Sequence, residues 1–304
     1  GKMRNRGFEA EVSYNKSINK DFGFNVAFNM SAIKNKMTEL DGDVSYIGLP
    51  TSVIHSLNFD QEVSRSAIGQ PIGSFYAYKE DGLFQSEAEI KSYTNNKGEL
   101  LQPNAKPGDI KFVDVNGDGV IDGNDRDYIG NPLPDVTAGL TLGVNFHNFD
   151  LSLFFQGMFG NDVYNLTRYV GDFYNQSQYN KNSRVVNAWT PTNTNTDIPR
   201  VTMDDPNNNI RPSSYYVQDA SFVRLKNMKI GYSVPQSILS KIKFNSLYIY
   251  AQATNLFTIT GYDGIDPEVG LQSYSSDYRN LDMGVDRGIY PLSRTFTFGV
   301  NVSF

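Results

Sequence analysis

Hydrophobic residues recur at every second position over several stretches of the chain, which is the period of a strand with one apolar face. Over the last ten residues, Phe296, Phe298, Val300, Val302 and Phe304 share one face, and Thr295, Thr297, Gly299, Asn301 and Ser303 share the other. From residue 136 the apolar set Val136, Ala138, Leu140, Leu142, Val144 and Phe146 opposes Thr137, Gly139, Thr141, Gly143 and Asn145. Near the start, Phe22, Phe24, Val26, Phe28 and Met30 oppose Gly23, Asn25, Ala27, Asn29 and Ser31. Further strands are expected at 8–14, 151–159, 222–234 and 247–259, which gives about seven strands of a length that crosses a bilayer. The stretch 222–234 is irregular, because Arg224 and Lys226 fall in phase with Met228, Ile230 and Tyr232. Either a bulge shifts the phase there, or the first half stands above the membrane.

The polar faces carry mainly Gly, Ser, Thr and Asn. A soluble sandwich would expose Lys, Glu and Arg instead, so a water-filled or plugged lumen fits better. The connections fall into two classes that alternate. Short turns are expected at 15–21, 147–150 and 235–245, and long polar segments at 39–134, 160–219 and 261–291. Short periplasmic turns and long extracellular loops mark a transmembrane β-barrel, and this alternation puts the C-terminus on the periplasmic side. The expected fold is therefore an all-β, transmembrane antiparallel barrel, with residues 1–304 as one part of its wall. Seven is an odd number, and bacterial single-chain barrels favour even ones, so the count favours part of a larger barrel.

Composition agrees with this pattern. Of 304 residues, 19 are Tyr, 20 Phe and 26 Gly, against a single Trp, a mix that suits β-structure rich in turns. No run of eighteen apolar residues offers a transmembrane helix, but barrel strands hide their hydrophobicity in alternation. The absence of cysteine excludes disulfides and thiolate metal sites. A net charge of −6 disfavours nucleic acid as a partner, since a grip on phosphates needs clustered Lys and Arg. Gly1-Lys2-Met3-Arg4 carries no apolar signal segment, and residue 1 is read as an internal cut.

Particular strings then point to a family. Pro107-Gly108-Asp109-Ile110-Lys111-Phe112, Asp114-Val115-Asn116-Gly117-Asp118-Gly119-Val120-Ile121-Asp122 and Ile129-Gly130-Asn131-Pro132 follow one another in order. Upstream lies Pro71-Ile72-Gly73-Ser74-Phe75-Tyr76; downstream lie Phe154-Phe155-Gln156-Gly157, Gly160-Asn161-Asp162 and Trp189-Thr190-Pro191-Thr192-Asn193. Ser221-Phe222-Val223-Arg224-Leu225-Lys226-Asn227 and Asn255-Leu256-Phe257 complete the set. Together these resemble the SusC/RagA family of TonB-dependent transporters over nearly the whole chain. The resemblance implies a 22-stranded barrel around an N-terminal plug, with this chain as roughly the last third of the wall. It further implies an outer-membrane location in a Gram-negative bacterium, uptake of glycans or peptides, a SusD-like surface lipoprotein as partner, and energy from TonB. The plug and the TonB box are then expected upstream of Gly1.

The sharpest chemical feature is the acidic loop 114–125. Side-chain oxygens fall at loop positions one (Asp114), three (Asn116), five (Asp118), nine (Asp122) and twelve (Asp125), with Gly119 at six and the Val120 carbonyl at seven. This is the ligand spacing of an EF-hand, so a structural calcium ion, or magnesium as the smaller alternative, is expected there. Asp125 replaces the usual bidentate Glu, as it does in dockerins. Asn116-Gly117 and Asp118-Gly119 would also form turns without an ion. A dockerin would carry paired loops each followed by a helix, whereas here Tyr128-Ile129-Gly130-Asn131-Pro132 stops one early.

Catalysis has little support. The two histidines, His55 and His147, lack a nucleophile setting, and His147, near Asn148 and Asp150, suits a turn cap. The chain is therefore not expected to be an enzyme. Tyr164, Tyr169, Phe173, Tyr174, Tyr179 and Trp189 crowd one long segment and could stack on sugar rings or peptide side chains, but loops of this size need small cores of their own, which is the preferred role. Residues 86–92 suit a short helix. The competing readings are a complete smaller outer-membrane pore or enzyme, and a secreted calcium-binding adhesion module.

Overall fold

The computed structural model describes residues 1–48, 61–174, 180–242, 244–270 and 281–304. Seven strands, Lys2–Ser17, Phe22–Glu39, Val136–Phe146, Phe149–Phe159, Phe222–Ser233, Ser246–Thr260 and Thr295–Ser303, form one sheet in that order. Each pairs antiparallel with the next. All seven strands expected from period two are present. The up-and-down order places the three short connections at one end of the sheet and the three long segments at the other. Among the described residues no helix is long and apolar enough to cross a membrane.

Register carries the alternation from strand to strand. Leu142 stands opposite both Val26 and Leu153, and Leu153 opposite Met228. Met228 faces Ala253, which faces Phe296. One apolar face therefore runs across all seven strands, because cross-strand partners point to the same side. On that face Phe8, Val12, Phe28, Phe296, Phe298 and Val300 lie exposed, without protein cover. Apolar surface of this extent needs a nonaqueous partner, and for a sheet of this topology that partner is lipid.

The irregular strand contains a bulge. Leu225 faces Phe155 and Phe257, while Asn227 faces Phe154 and Thr254, so Lys226 has no cross-strand partner. The extra residue resets the phase: Val223 and Leu225 join Met228, Ile230 and Tyr232 on the apolar face, and Arg224 turns inward beside Gln156 and Thr258. On the neighbouring strand Asn255 and Leu256 lie outside the ladder, with Asn255 at φ 51°.

The short connections differ in kind. His147 and Asn148 make a two-residue hairpin between the paired Phe146 and Phe149, with His147 at φ 53°. The connection 235–245, expected to be a plain turn, holds a helix, Gln236–Ile242. The Pro235 carbonyl accepts the first helical N–H groups, from Ile238 and Leu239, and Leu239 is buried.

At the other end the long segments fold together. Tyr46–Gly48, Ser64–Ala67, Ser74–Tyr78 and Arg126–Gly130 form a four-stranded sheet. Val217–Asp219, Asp162–Asn165 and Val285–Asp286 form another, which joins the second segment to the third. The expectation of separate small cores holds only for Phe84, Ile90 and Ala105, which cluster with Tyr93 inside the first segment; the larger core is shared. One core takes Phe75, Ile110 and Phe112 from the first segment, Tyr164, Trp189 and Tyr216 from the second, and Leu281 and Val285 from the third. Pooling aromatic residues from three segments buries more apolar surface than the Phe84 cluster does alone. The helix Glu87–Ser92 appears where expected, capped by Ser86, whose hydroxyl accepts from Glu89 N–H at 3.2 Å.

Candidate functional site

Two surfaces could meet a solute: the body built by the long segments and the inner face of the sheet. In the body, the strings singled out in the sequence converge. Gly108, at φ 88°, lies flat against the ring of Trp189, where any Cβ would overlap it. The indole Nε1 donates to Gln85 Oε1 at 3.0 Å. Next to it Asp109, fully buried, accepts from Lys106 N–H at 2.8 Å and Asn209 Nδ2 at 2.9 Å, and pairs with Arg200 at 2.6 Å. Asn207 Nδ2 and Gln102 Nε2 both donate to the Ile110 carbonyl at 2.9 Å. A buried charge is tolerated only when its partners are complete. Sequence reading missed Gln102, Arg200, Asn207 and Asn209; the run Asp205-Pro206-Asn207-Asn208-Asn209 was the available signal.

Most aromatic candidates serve this core. Tyr164, Tyr169, Phe173 and Trp189 are buried, and Tyr164 stacks on Tyr216 with ring centroids 5.3 Å apart. Tyr174 is exposed. Tyr179 and His55 lie outside the described residues.

A cleft of about 460 Å³ opens where the three segments meet, lined by Glu80, Arg168, Asp197, Gln218, Asp219 and Gly261 among others. Arg168 is fixed there by the Tyr215 carbonyl at 2.7 Å and by Asp263 at 2.6 Å. Behind it Asp172 accepts from the Tyr215 hydroxyl at 2.6 Å and pairs with Arg184 at 3.0 Å. Burial opposes ionisation of Asp263, but hydrogen bonds from Arg168 and Gln218 and the charges of Arg168 and Arg184 together outweigh it and hold that carboxyl below its ordinary value. At Asp172 burial wins and raises the carboxyl. Burial likewise pushes the Tyr215 hydroxyl well up. These are charges fixed by ion pairs around a polar opening, with Arg168 Nε and Asp172 Oδ1 buried without a hydrogen-bond partner among the described residues, an arrangement suited to holding a polar ligand. His147, the histidine among the described residues, sits at the far end of the sheet beside Asp21.

The inner face of the sheet carries Tyr248 and Tyr250, stacked with centroids 5.8 Å apart. Lys229 Nζ lies 4.9 Å from each ring, and Tyr248 donates to Asp150 at 3.0 Å. Gly231 and Gly299 lie beneath them, and a Cβ at either position would overlap the ring above.

The acidic loop folds as its glycines demand, with Gly117 at φ 73° and Gly119 at φ 87°. Its oxygens accept backbone N–H groups. Asp114 takes Gly117 and Gly119, Asn116 takes Asp118, and Asp118 takes Val120. Asp122 takes Asn124, and the buried Asp125 takes Val115 and Asp122. Among the described residues no group of three or more acidic or histidine side chains is gathered closely enough to hold a metal ion.

No family model matches the chain. Its sequence is 37% identical over 305 residues to TonB-dependent receptor P3 of Formosa agariphila, and 32% over 304 residues to TonB-dependent receptor P26 of the same organism. It is 27% identical over 308 residues to TonB-dependent receptor SusC of Bacteroides thetaiotaomicron. Each match takes in all of this chain, yet the chain spans only 27–29% of the length of these relatives. Among solved structures, the RagAB peptide importer in its open-open state superposes with a TM-score of 0.72 at 23% identity, over 99% of this chain and 29% of that one. The RagAB peptide transporter gives 0.71. These relatives are receptors and transporters rather than enzymes. By sequence along its whole length, the chain is similar to TonB-dependent receptors, SusC among them, and its fold is that of a seven-strand stretch of the barrel wall of such receptors.

Proposed function

We propose that this chain forms the C-terminal part of the wall, and part of the extracellular loop body, of an outer-membrane receptor that takes up glycans or peptides in a TonB-dependent way. One observation carries the reading: long segments gather at one end of a sheet whose outer face is apolar, in a chain related throughout to TonB-dependent receptors. A closed barrel requires further strands, since Lys2–Ser17 and Thr295–Ser303 are open sheet edges, and long unpaired edges invite aggregation unless covered. In this reading the loop body faces outward and receives a SusD-like lipoprotein, as the similarity to SusC suggests. The cleft at Arg168 is a polar surface on which solute is held before passage. The test is growth of a strain lacking the whole receptor on single glycans and on peptides. Loss of growth on one class supports the reading; undiminished uptake of every class contradicts it.

A calcium ion in the 114–125 loop is a second proposal. The ligand spacing and the turn at Gly119 support it. The backbone bonds already described close the loop without an ion, so binding must compete with them. Calorimetric titration of the receptor with calcium, and then with magnesium, distinguishes the cases. A site lost in Asp118→Ala supports the ion; no heat at millimolar calcium rejects it.

A further inference from the structure

The bulge does more than restore the apolar face. By turning Arg224 inward it sets a guanidinium, only 2% exposed, against the segment that follows the sixth strand. Arg224 reaches Asp266 at 2.6 Å and Glu268 at 2.8 Å, and its Nε donates to Thr258 Oγ1 at 2.7 Å. Lys226, the bulged residue itself, reaches Glu268 at 3.0 Å. Two cations from the wall thus meet two carboxylates from the segment, and the group is neutral as a whole. Asp266 also accepts from the N–H groups of Glu268 at 2.9 Å and Leu292 at 3.3 Å. It therefore gathers both limbs of the connection, 261–270 and 287–294. The opposite half of the bulge holds the second limb again, since Asn255 Nδ2 donates to the Ser293 carbonyl at 3.1 Å.

The wall is open at this place. The last strand pairs with the sixth only from Ser246 to Thr254, so among the described residues 255–260 have no ladder partner on that side. The two limbs cross there without ladder bonds. Beyond the crossing they are fixed to the loop body: Tyr262 is buried with Val163 and Ala220, and its hydroxyl donates to Asp286 at 2.6 Å. The limbs are thus held by the body at one end and by side-chain charges at the other.

We propose that Arg224, Lys226, Asp266 and Glu268 form a latch that fastens this two-limbed strap across the unzipped corner of the wall, and that the strap is able to swing from the wall when the latch is broken. Arg224 acts as a positioning residue. Its fork engages two carboxylates at once, which an ammonium cannot do. Removing it leaves Asp266 buried without its counter-ion, a state strongly disfavoured. The wall below the bulge keeps its ladder in either case.

Hydrogen exchange on the complete receptor tests this, comparing wild type with Arg224→Ala, Arg224→Lys and the carboxamide pair Asp266→Asn with Glu268→Gln. The last variant leaves the wall sequence intact, so it reports even if Arg224→Ala fails to fold. The latch predicts at least tenfold faster exchange in 261–270 and 287–294 for Arg224→Ala and for the carboxamide pair, and an intermediate rate for Arg224→Lys. Exchange in 246–254 and 295–303 should stay unchanged. Strap exchange that stays at the wild-type rate in the folded carboxamide pair overturns the proposal. So does equal acceleration of strap and wall, which would make the network a general support of the fold.

Discussion

At Gly231 and Gly299 the inner face of the sheet gives up its side chains so that Tyr248 and Tyr250 lie flat. Gly231→Val should therefore force the Tyr248 ring and Asp150 apart, an overpacking cost of about 1–3 kcal/mol. The full receptor should then lose its heat-resistant folded band at a lower temperature, whereas Gly261→Ala, which meets nothing within 4 Å, should leave the band unmoved. An equal effect of the two changes would mean that the glycines are not there for the rings. The small residues of this face were legible in the sequence, and read as a lumen. That two of them serve tyrosines was not, because the ring over Gly299 comes from a residue 49 positions earlier. The ligand spacing of the acidic loop was equally plain, but spacing alone does not say whether its oxygens turn to an ion or to their own backbone.

Among elements, the wall strands were readable because period two is a local signal that one neighbour on each side completes. The strand at 222–233 announced its bulge through a break in parity, although the position of the extra residue needed the register. Leu225 and Asn227 already face the adjacent residues Phe155 and Phe154, so deleting Lys226 should leave Leu225 on the apolar face and Arg224 inward in its pair with Asp266. The folded fraction on a heat-modifiability gel should then match that of Lys226→Ala. A folded fraction well below that of Lys226→Ala would remove the case for Lys226 as the inserted residue. In the loop body, Asp263 and Asp266 are held below the ordinary carboxylate value. At Asp266, as at Asp263, burial opposes the charge, but hydrogen bonds and Arg224 prevail. Their stabilisation is complete above the unfolded value, about pH 4, and is lost as pH falls through the lower folded values. Asp172 is shifted the other way, so acidification through its raised value relieves a cost. Resistance of the loop body to an acid-active protease should thus rise slightly on mild acidification and drop only below about pH 4. A steady decline starting near neutrality would contradict both assignments.

For the whole molecule, the division into wall and loop body came from the alternation of short and long connections. The shared core of the body did not. Its members meet from three segments, as when Ser64 donates to the carbonyl of Leu281, 217 residues away, and no local pattern records such a meeting. The open edges at Lys2–Ser17 and Thr295–Ser303 complete the picture of a wall that continues into neighbouring strands. The central claim, that this sheet stands in a membrane with one face to lipid, has a direct test because the chain contains no cysteine. Single cysteines placed in turn at 296, 297, 298, 300, 301 and 302 of the full receptor, in native outer membranes, can be probed with a water-soluble maleimide and with a lipid-confined quencher of an attached dye; Gly299 is left unchanged because a Cβ there meets Tyr250. The account predicts strict alternation: lipid quenching and poor labelling at Phe296, Phe298, Val300 and Val302, and labelling from water without quenching at Thr297 and Asn301. Uniform labelling from water at all six positions would contradict it.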